Sequence, residues 1–281
     1  MKSNPLQRAI IVSPIIVWIL GFVLVPMSFI LIFSFLTRSV YGGVDLPFSL
    51  QPYLDLLNPV FWKITLNTFI IAILATAAVL FLAFPTSYLM ARSRYKLFWL
   101  FLMIIPFWTN FLIRIYAWIA ILGTNGVVNE ILQMFGITNT LNLLYNPLTV
   151  IIVLACTHLP FAVLPLFAVI EKFDFSLLEA ARDLGATRFQ SILKVLIPSV
   201  KAGIFSAVLF TFIPAFGAFA VPQLVGGRTS FMLGNLIARE LTVTRNWPLA
   251  CAISTILTAV TMVGVVLYMR AQAGQNGEEL L

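Results

Sequence analysis

The sequence predicts an all-α membrane protein with six transmembrane helices. Of its 281 residues, 61% are hydrophobic and only 10% are charged, whereas a soluble domain has about 25% charged residues. The charges are also unevenly placed, and six stretches between them reach the length of about 20 apolar residues that crosses a bilayer core. These stretches are apolar on every side rather than at alternate positions, which excludes the strands of a membrane β-barrel.

The first three predicted spans lie in the N-terminal half of the chain. The first lies between Arg8 and Arg38, and its apolar run is far longer than the about 7 to 15 residues of a cleaved signal peptide, which indicates a retained anchor. The second ends before Arg92 and the third begins after Lys96, with Arg114 as the only charge inside any predicted span.

The last three predicted spans follow the same rule. The fourth begins at Pro147, the fifth lies between Lys201 and Arg228, and the sixth lies between Arg245 and Arg270. A single transmembrane domain over residues 1–281 thus contains six predicted spans, at about 9–36, 64–91, 97–122, 147–170, 202–222 and 249–269.

The orientation follows from the positions of Lys and Arg. With the N-terminus inside, the cytoplasmic segments hold eleven of these residues and the outer loops hold five. Because cytoplasmic loops carry such an excess, we predict that both termini and the loop 171–201 are cytoplasmic. The net charge of +7 then reflects membrane topology and does not indicate a nucleic-acid partner.

Several function classes are excluded by composition. Two cysteines and one histidine cannot supply a metal cluster with ligand spacing. The chain also contains no G-x-x-x-x-G-K-[ST] loop to bind the phosphates of ATP. The sequence therefore predicts a non-enzymatic chain without cofactor or metal, whose energy source is another polypeptide.

The predicted cytoplasmic loop has the start and stop signals of two short helices. Ser176 and Glu179 have capping-box spacing, and Gly185 lies where a left-handed residue would end the first helix. Thr187 and Gln190 form a second capping-box pattern, which opens a helix that ends near Pro198. Apolar residues recur at helical spacing in each helix: Leu177, Leu178, Ala181 and Leu184, then Phe189, Ile192, Leu193 and Leu196.

Physical chemistry alone leaves the role of this helix pair open. An amphipathic pair lying on the lipid surface explains the apolar faces as well as a protein-docking pair does. A DNA-reading helix-turn-helix fits less well, because the loop is tethered between membrane spans.

The loop resembles the EAA loop in the membrane subunits of binding-protein-dependent ABC importers. In that pattern, E-A-A is followed after three residues by G, and after nine more by I-x-L-P. Here it reads Glu179-Ala180-Ala181, Gly185 and Val-Leu-Ile-Pro at 195–198, so the spacing is kept and the changes are conservative.

The resemblance implies a type I ABC importer permease fold in which the first loop helix is a coupling helix. Such a helix docks on a cytoplasmic ATP-hydrolysing subunit and transmits its closure to the spans. The residues that the resemblance implicates in this coupling are Ser176, Leu178, Glu179, Ala180, Ala181, Asp183, Gly185 and Arg188.

The same resemblance implies the partners of the chain. They are a second homologous permease subunit, two cytoplasmic ATP-binding subunits that hold ATP and Mg²⁺, an extracytoplasmic substrate-binding protein, and membrane lipid. The expected location is the inner membrane of a bacterium, as a multi-pass protein.

Three segments are similar to permeases of spermidine/putrescine importers, in particular the first of the two permease subunits of such a system. The segments are 105–132, 170–186 and 224–254, and the similarity covers about residues 50–270. One departure is Asn246, where relatives often have Asp. The resemblance implies a polyamine as cargo; an importer of the same class for an anion, a metal chelate or a sugar is the alternative.

The predicted spans contain no acidic residue, although a polycation would be expected to meet carboxylates on its route. Breaking a buried ion pair is costly, so we infer that an external binding protein selects the cargo and that this chain supplies a weakly binding passage. Cation–π contacts could form it, although an interfacial aromatic belt is the alternative. The candidate passage residues are Trp108, Thr109, Asn110, Tyr116 and Trp118.

Two charged residues are candidates for a gate or for pairing with a partner. Arg114 would repel a polyamine, so a gating or pairing role fits it better than binding, and snorkelling to the outer surface is the alternative. Glu240 is the acidic candidate, in an outer loop. A secondary transporter fits less well than a permease, because no intramembrane acid is available for Na⁺ or H⁺, and a purely structural scaffold would leave the cytoplasmic loop unexplained.

Overall fold

The computed structural model describes residues 13–136 and 141–278, and most of these are helical. Two short strands, β1 and β2, form an antiparallel hairpin at Leu36–Arg38 and Val44–Phe48. The helices in chain order are α1 Ser13–Phe33, α2 Gln51–Asp55, α3 Pro59–Arg92, α4 Lys96–Ile104, α5 Phe111–Leu122, α6 Val127–Met134, α7 Pro147–Ile170, α8 Ser176–Asp183, α9 Arg188–Ser199, α10 Lys201–Phe216, α11 Ala220–Val225, α12 Leu233–Thr242 and α13 Trp247–Glu278.

The helices confirm the predicted helical membrane fold. By length and composition, five helices of the described residues could cross a membrane, or six if the bent pair α9 and α10 forms one span. The predicted first span begins at residue 9, which lies outside the described residues, as do the Lys2 and Arg8 used for the orientation.

Two of the predicted spans differ from the helices in the structure. In the third, α4 continues as a 3₁₀ turn over Ile105–Trp108, and α5 starts only at Phe111, because Pro106 disfavours a continuing helix. The fifth stops at Phe216 rather than near residue 222, and α10 meets α9 at an angle of 74°.

The chain forms two compact units, and the first comprises Met1–Trp62 and Leu236–Val263. It contains α1, whose described side chains are all at least partly exposed. A helix that is apolar all round and buries none of its residues must be covered by lipid or by another protein. The prediction of a single domain remains a prediction.

The second unit comprises Lys63–Asn235 and Gly264–Leu281, and α7 is its central helix. In α7, 61% of the most apolar stretch is buried, against 39% in α3. Two apolar clusters pack around it. The first adjoins the predicted cytoplasmic loop and includes Ala83, Met90, Leu166, Ile170, Leu178, Leu196 and Val200; the second lies toward the other end and includes Ile71, Ile115, Leu122, Val150, Leu154, Val225 and Met232.

Candidate coupling loop and passage

The coupling loop is held at its root by the ends of two long helices. Lys96, the first residue of α4, pairs with Glu171, the residue after α7, at 2.6 Å. The Arg92 guanidinium lies 5.6 Å from the ring centre of Phe175 and 5.7 Å from that of Tyr88. These contacts fix where the loop leaves the membrane-spanning helices.

The start of α8 differs from the prediction. The expected capping box of Ser176 and Glu179 is wrong: Ser176 is the first helical residue, and no side chain caps from position 175. Instead, Asp174 Oδ1 accepts a hydrogen bond from the Ser176 backbone N–H at 3.0 Å. The Ser176 side chain and backbone together lower the pKa of Asp174, because hydrogen bonds to the charged form favour it.

One apolar side chain anchors α8. Leu178 is 1% exposed and belongs to the first core cluster, and Ala181 is half-buried. The other predicted coupling residues are exposed and available to a partner: Ser176, Glu179, Ala180, Asp183, Gly185 and Arg188.

The end of α8 and the start of α9 match the local signals. Gly185 has φ +90°, which confirms the predicted left-handed residue and explains glycine there. The Thr187 and Gln190 capping box is present, with Thr187 Oγ1 accepting from Gln190 N–H at 3.2 Å and Gln190 Oε1 accepting from Thr187 N–H at 3.0 Å. The second helix includes a π turn and ends at Ser199, one residue beyond Pro198.

Three apolar side chains of the loop are exposed, although the sequence pattern placed each of them on one apolar helix face together with side chains that are buried. Leu184 is 91% exposed, Phe189 72% and Leu177 48%. Helical spacing could have separated them: Leu177, Ala181 and Leu184 are four and three residues apart and share a face, whereas Leu178 is turned by about 100° from Leu177. Leu177 and Leu184 are thus exposed on α8 and Phe189 on α9, in the same loop as the exposed charges of Glu179 and Arg188.

Three of the predicted passage residues lie at the break in the third span. Trp108 is 82% exposed, and Thr109 Oγ1 donates to the Pro106 carbonyl at 2.6 Å. Asn110 Oδ1 accepts from Leu112 N–H at 2.8 Å and so caps α5. The Thr109 hydroxyl is thus used in the turn before the break, and the Asn110 amide oxygen is used to start α5.

The other two passage candidates do not share a face of α5. Tyr116 is 58% exposed, whereas Trp118 is half-buried and packs against the second core cluster. The structure therefore brings Trp108, Thr109 and Asn110 together at the break and places Trp118 in the packing of the second unit.

Arg114 is held by aromatic rings that sequence reasoning missed. Its guanidinium carbon lies 4.6 Å from the ring centre of Phe107 and 5.8 Å from that of Phe111. Its Nε is buried without a hydrogen-bond partner among the described residues. The helical i, i+3 spacing of Phe111 and Arg114 was a usable signal, whereas the contact with Phe107 depends on the break. Cation–π contacts of this kind stabilise the guanidinium group at its position within the span.

Glu240, the second gating candidate, belongs to the first unit. It is 9% exposed, and its carboxylate accepts a hydrogen bond from Thr244 Oγ1. The acid is therefore largely withdrawn from solvent. Across residues 13–136 and 141–278, no three His, Cys, Asp or Glu side chains cluster closely enough to hold a metal ion.

These features define a class. The chain has apolar helices of spanning length. Two of them are joined by a pair of short helices that is predicted to be cytoplasmic and exposes apolar and charged side chains. This is the architecture of a membrane permease subunit. The chain matches the family described as "Binding-protein-dependent transport system inner membrane component" over residues 83–276. This chain belongs to that family, and it is accordingly a multi-pass inner-membrane permease component and not itself a catalytic subunit.

Two relatives match almost the whole chain. It is 38% identical over 274 residues to the spermidine/putrescine transport system permease protein PotB of Salmonella typhimurium (strain SL1344), with 96% of both chains covered. It is 40% identical over 260 residues to the protein of the same name from Escherichia coli (strain K12), covering 92% of this chain and 94% of the relative.

A solved structure has the same fold. A chain of a bacterial alginate ABC transporter, in complex with an alginate pentasaccharide-bound periplasmic protein, superposes with a TM-score of 0.70 at 21% identity. The match covers 93% of this chain and 92% of the other. The match supports the predicted permease fold. At 21% identity it supports the fold alone.

Proposed function

We propose that this chain is a permease subunit of an ATP-driven importer that carries polyamines, namely spermidine or putrescine, delivered by an extracytoplasmic binding protein. The observation that carries the proposal is the identity of 38% and 40%, over more than nine-tenths of the chain, to two permeases named for spermidine/putrescine transport. The acid-free predicted spans agree with a passage that releases a polycation easily, since a buried ion pair would hold it.

The exposed face of α8 is the proposed docking surface for a cytoplasmic ATP-binding subunit. Leu178 anchors the helix within this chain, which leaves Glu179, Ala180 and Asp183 free for the partner. The exposed side chain of Leu184 next to them would be desolvated in the contact, which is worth about 2 kcal/mol when complete. We expect two such subunits, which bind ATP and Mg²⁺, and a second homologous permease that completes the pore.

The proposed passage runs past the break in the third span. Trp108 presents an exposed aromatic face for cation–π contact with an ammonium group, beside Thr109 and Asn110. Tyr116 offers a second exposed ring, whereas the packing of Trp118 makes it a supporting residue. Loosely held contacts of this kind suit rapid transfer.

Arg114 is the proposed gate of the passage. A cation held against Phe107 in the resting protein repels other cations and so limits leakage. Glu240, in the first unit, remains a separate candidate for a gate or for pairing with a partner subunit.

The proposal is tested by uptake of radiolabelled spermidine and putrescine. Bacterial cells without their own polyamine uptake would receive this chain with its second permease, ATP-binding subunits and binding protein. We expect ATP-dependent uptake that is lost with Glu179→Lys and kept with Lys194→Glu, a charge reversal of equal size at an exposed position of the same loop. Uptake of a labelled sugar or anion without polyamine uptake would contradict the proposal.

A further inference from the structure

A cavity of about 560 Å³ lies at the end of the second unit that carries residues predicted to be outside the membrane. Its walls come from the end of α5 and from the segment that precedes α7. The residues that matter below are Ile119, Leu122, Gly123, Thr124, Asn142 and Tyr145. The cavity is separate from the coupling loop and from the break at residues 109–110.

Hydrogen bonds hold the two walls of the cavity in place. The Asn129 side chain, 1% exposed, donates to the carbonyl of Gly123 on one wall at 2.9 Å and to that of Leu141 on the other at 3.2 Å. It also accepts from Leu141 N–H at 3.0 Å. The Tyr145 N–H donates to the Val225 carbonyl at 2.9 Å. The cavity is therefore formed before any ligand arrives, which lowers the entropic cost of binding.

Two polar side chains that face this space make no hydrogen bond to another described residue, whereas Asn146, which also lines the cavity, bonds to Leu143 and Thr149. Thr124 and Asn142 are exposed, and neither side chain makes a hydrogen bond to another described residue. Tyr145 is 64% exposed and adds a ring and a phenol group. Groups that the fold does not use are available to a ligand.

The electrostatics of the cavity favour a cation. The chain leaves α5 at Gly123 in an extended conformation, with φ −61° and ψ 164°, so the helix ends at the wall of the cavity. The C-terminal end of a helix carries about half a negative charge. Nine residues line the cavity, and none is Lys, Arg, His, Asp or Glu.

The chain turns back directly against the end of α5 at Gly126. A Cβ atom at Gly126 would lie 2.5 Å from the carbonyl oxygens of both Ala120 and Ile121. Only glycine allows the chain to turn back so tightly against the helix end.

We propose that this cavity binds the primary ammonium group of an alkylamine at the outer side of the permease. The inference rests on the polyamine cargo proposed above and assigns a site to it. The Thr124 hydroxyl and the Asn142 amide oxygen accept the N–H bonds, the negative end of the α5 dipole attracts the cation, and the Tyr145 ring covers it. Without a carboxylate the ligand is held weakly and can move on.

The test is equilibrium binding of tritiated spermidine to the complete complex in nanodiscs, without the binding protein. The combined variant Thr124→Val and Asn142→Leu removes both side-chain acceptors at nearly constant size. We expect it to bind spermidine at least about tenfold more weakly, since a single hydrogen bond to a charged group is already worth that factor. The control Thr124→Ser and Asn142→Gln keeps the acceptors and is expected to bind like the wild type.

Two results would overturn the inference while leaving the proposed function intact. One is spermidine binding by the combined variant that equals the wild type. The other is equally tight binding of spermidine acetylated at both primary amines, which lacks the primary ammonium groups. A wild-type complex that imports no polyamine in cells would instead overturn the proposed function, and the cavity assignment with it.

Discussion

Lys96 Nζ lies 2.6 Å from Glu171 Oε1, and this contact joins the start of α4 to the end of α7. It is the one ion pair within residues 13–136 and 141–278. Both residues were predicted to be cytoplasmic from the distribution of Lys and Arg. An ion pair requires its partners to lie on the same side of the membrane, so the contact agrees with the prediction that these two helix ends share a side.

Neutralising this ion pair is expected to have a small and salt-dependent effect. The Lys96 and Glu171 side chains are 44% and 34% exposed, and pairs of this kind contribute at most about 1 kcal/mol. A double-mutant cycle of Lys96→Gln and Glu171→Gln, followed by thermal unfolding of the purified complex, measures the coupling. It should shrink in high salt, and a coupling that salt leaves unchanged would contradict the assignment of a solvent-screened pair.

Substitutions of Leu178 and Leu184 by alanine are expected to have different effects. Leu178→Ala creates a cavity in the first core cluster and should destabilise the protein by about 2 to 5 kcal/mol. Leu184→Ala, at a side chain that is 91% exposed, should leave the thermal stability of the isolated permease unchanged and weaken co-purification of the ATP-binding subunit. Equal losses of stability in the two variants would refute this division of roles.

Gly185 is expected to tolerate Asn better than Val. Its φ of +90° strains any residue with a side chain by about 1 to 2 kcal/mol, and a Cβ there meets no atom within 4 Å, so backbone strain is the main term. Gly185→Val should lower uptake per ATP hydrolysed, because it tilts the end of α8, whereas Gly185→Asn should retain most of it. Normal coupling in Gly185→Val would show that this turn does not set the docking geometry.

Asp174 makes the start of α8 sensitive to acid. Hydrogen bonds from Ser176 hold the pKa of Asp174 below its usual value of 3.8. The contribution to stability is therefore complete above that value and disappears as the pH falls through the lowered pKa of the folded protein. The melting temperature of the complex should decline below about pH 4, and less steeply in Asp174→Asn. Identical acid profiles of the two proteins would count against this cap.

Phe107 is expected to restrain Arg114. Phe107→Leu removes the ring that lies 4.6 Å from the guanidinium carbon while keeping an apolar side chain, at a cost of about 0.5 to 2 kcal/mol in cation–π attraction. Proteoliposomes with this variant should leak potassium faster than those with the wild type in the absence of ATP. Phe161→Leu, which alters a ring next to Phe107 without touching the cation, is the control, and equal leakage in all three proteins would exclude the gate.

Local signals in the sequence predicted the parts of the site that depend on neighbouring residues. Gly185 and the capping pair of Thr187 and Gln190 could be read directly, because left-handed turns and N-caps involve residues at most three positions apart. Ser176 was assigned the wrong role, since Asp174, two residues earlier, offers a charged and stronger acceptor to the same helix start.

Features that depend on packing could not be read in this way. A proline within an apolar run permits either a kinked or a broken helix in a membrane, so Pro106 did not reveal the break before Phe111. Helical spacing separates the faces that carry Leu178 and Leu184, but which of the two faces is buried depends on what α8 packs against. The pairing of Lys96 with Glu171 requires two distant helix ends to meet.

The 74° angle between α9 and α10 makes the two helices the arms of an L-shaped lever. The elbow is clamped in the first core cluster by Leu196 and Val200, and the arms are about 18 Å and 24 Å long at 1.5 Å per residue. A sideways push on the free end of α9 therefore swings α10 about this elbow, with a displacement about one third larger at its far end. Distances between spin labels on α10 and α7, with and without ATP, would distinguish such a tilt from sliding.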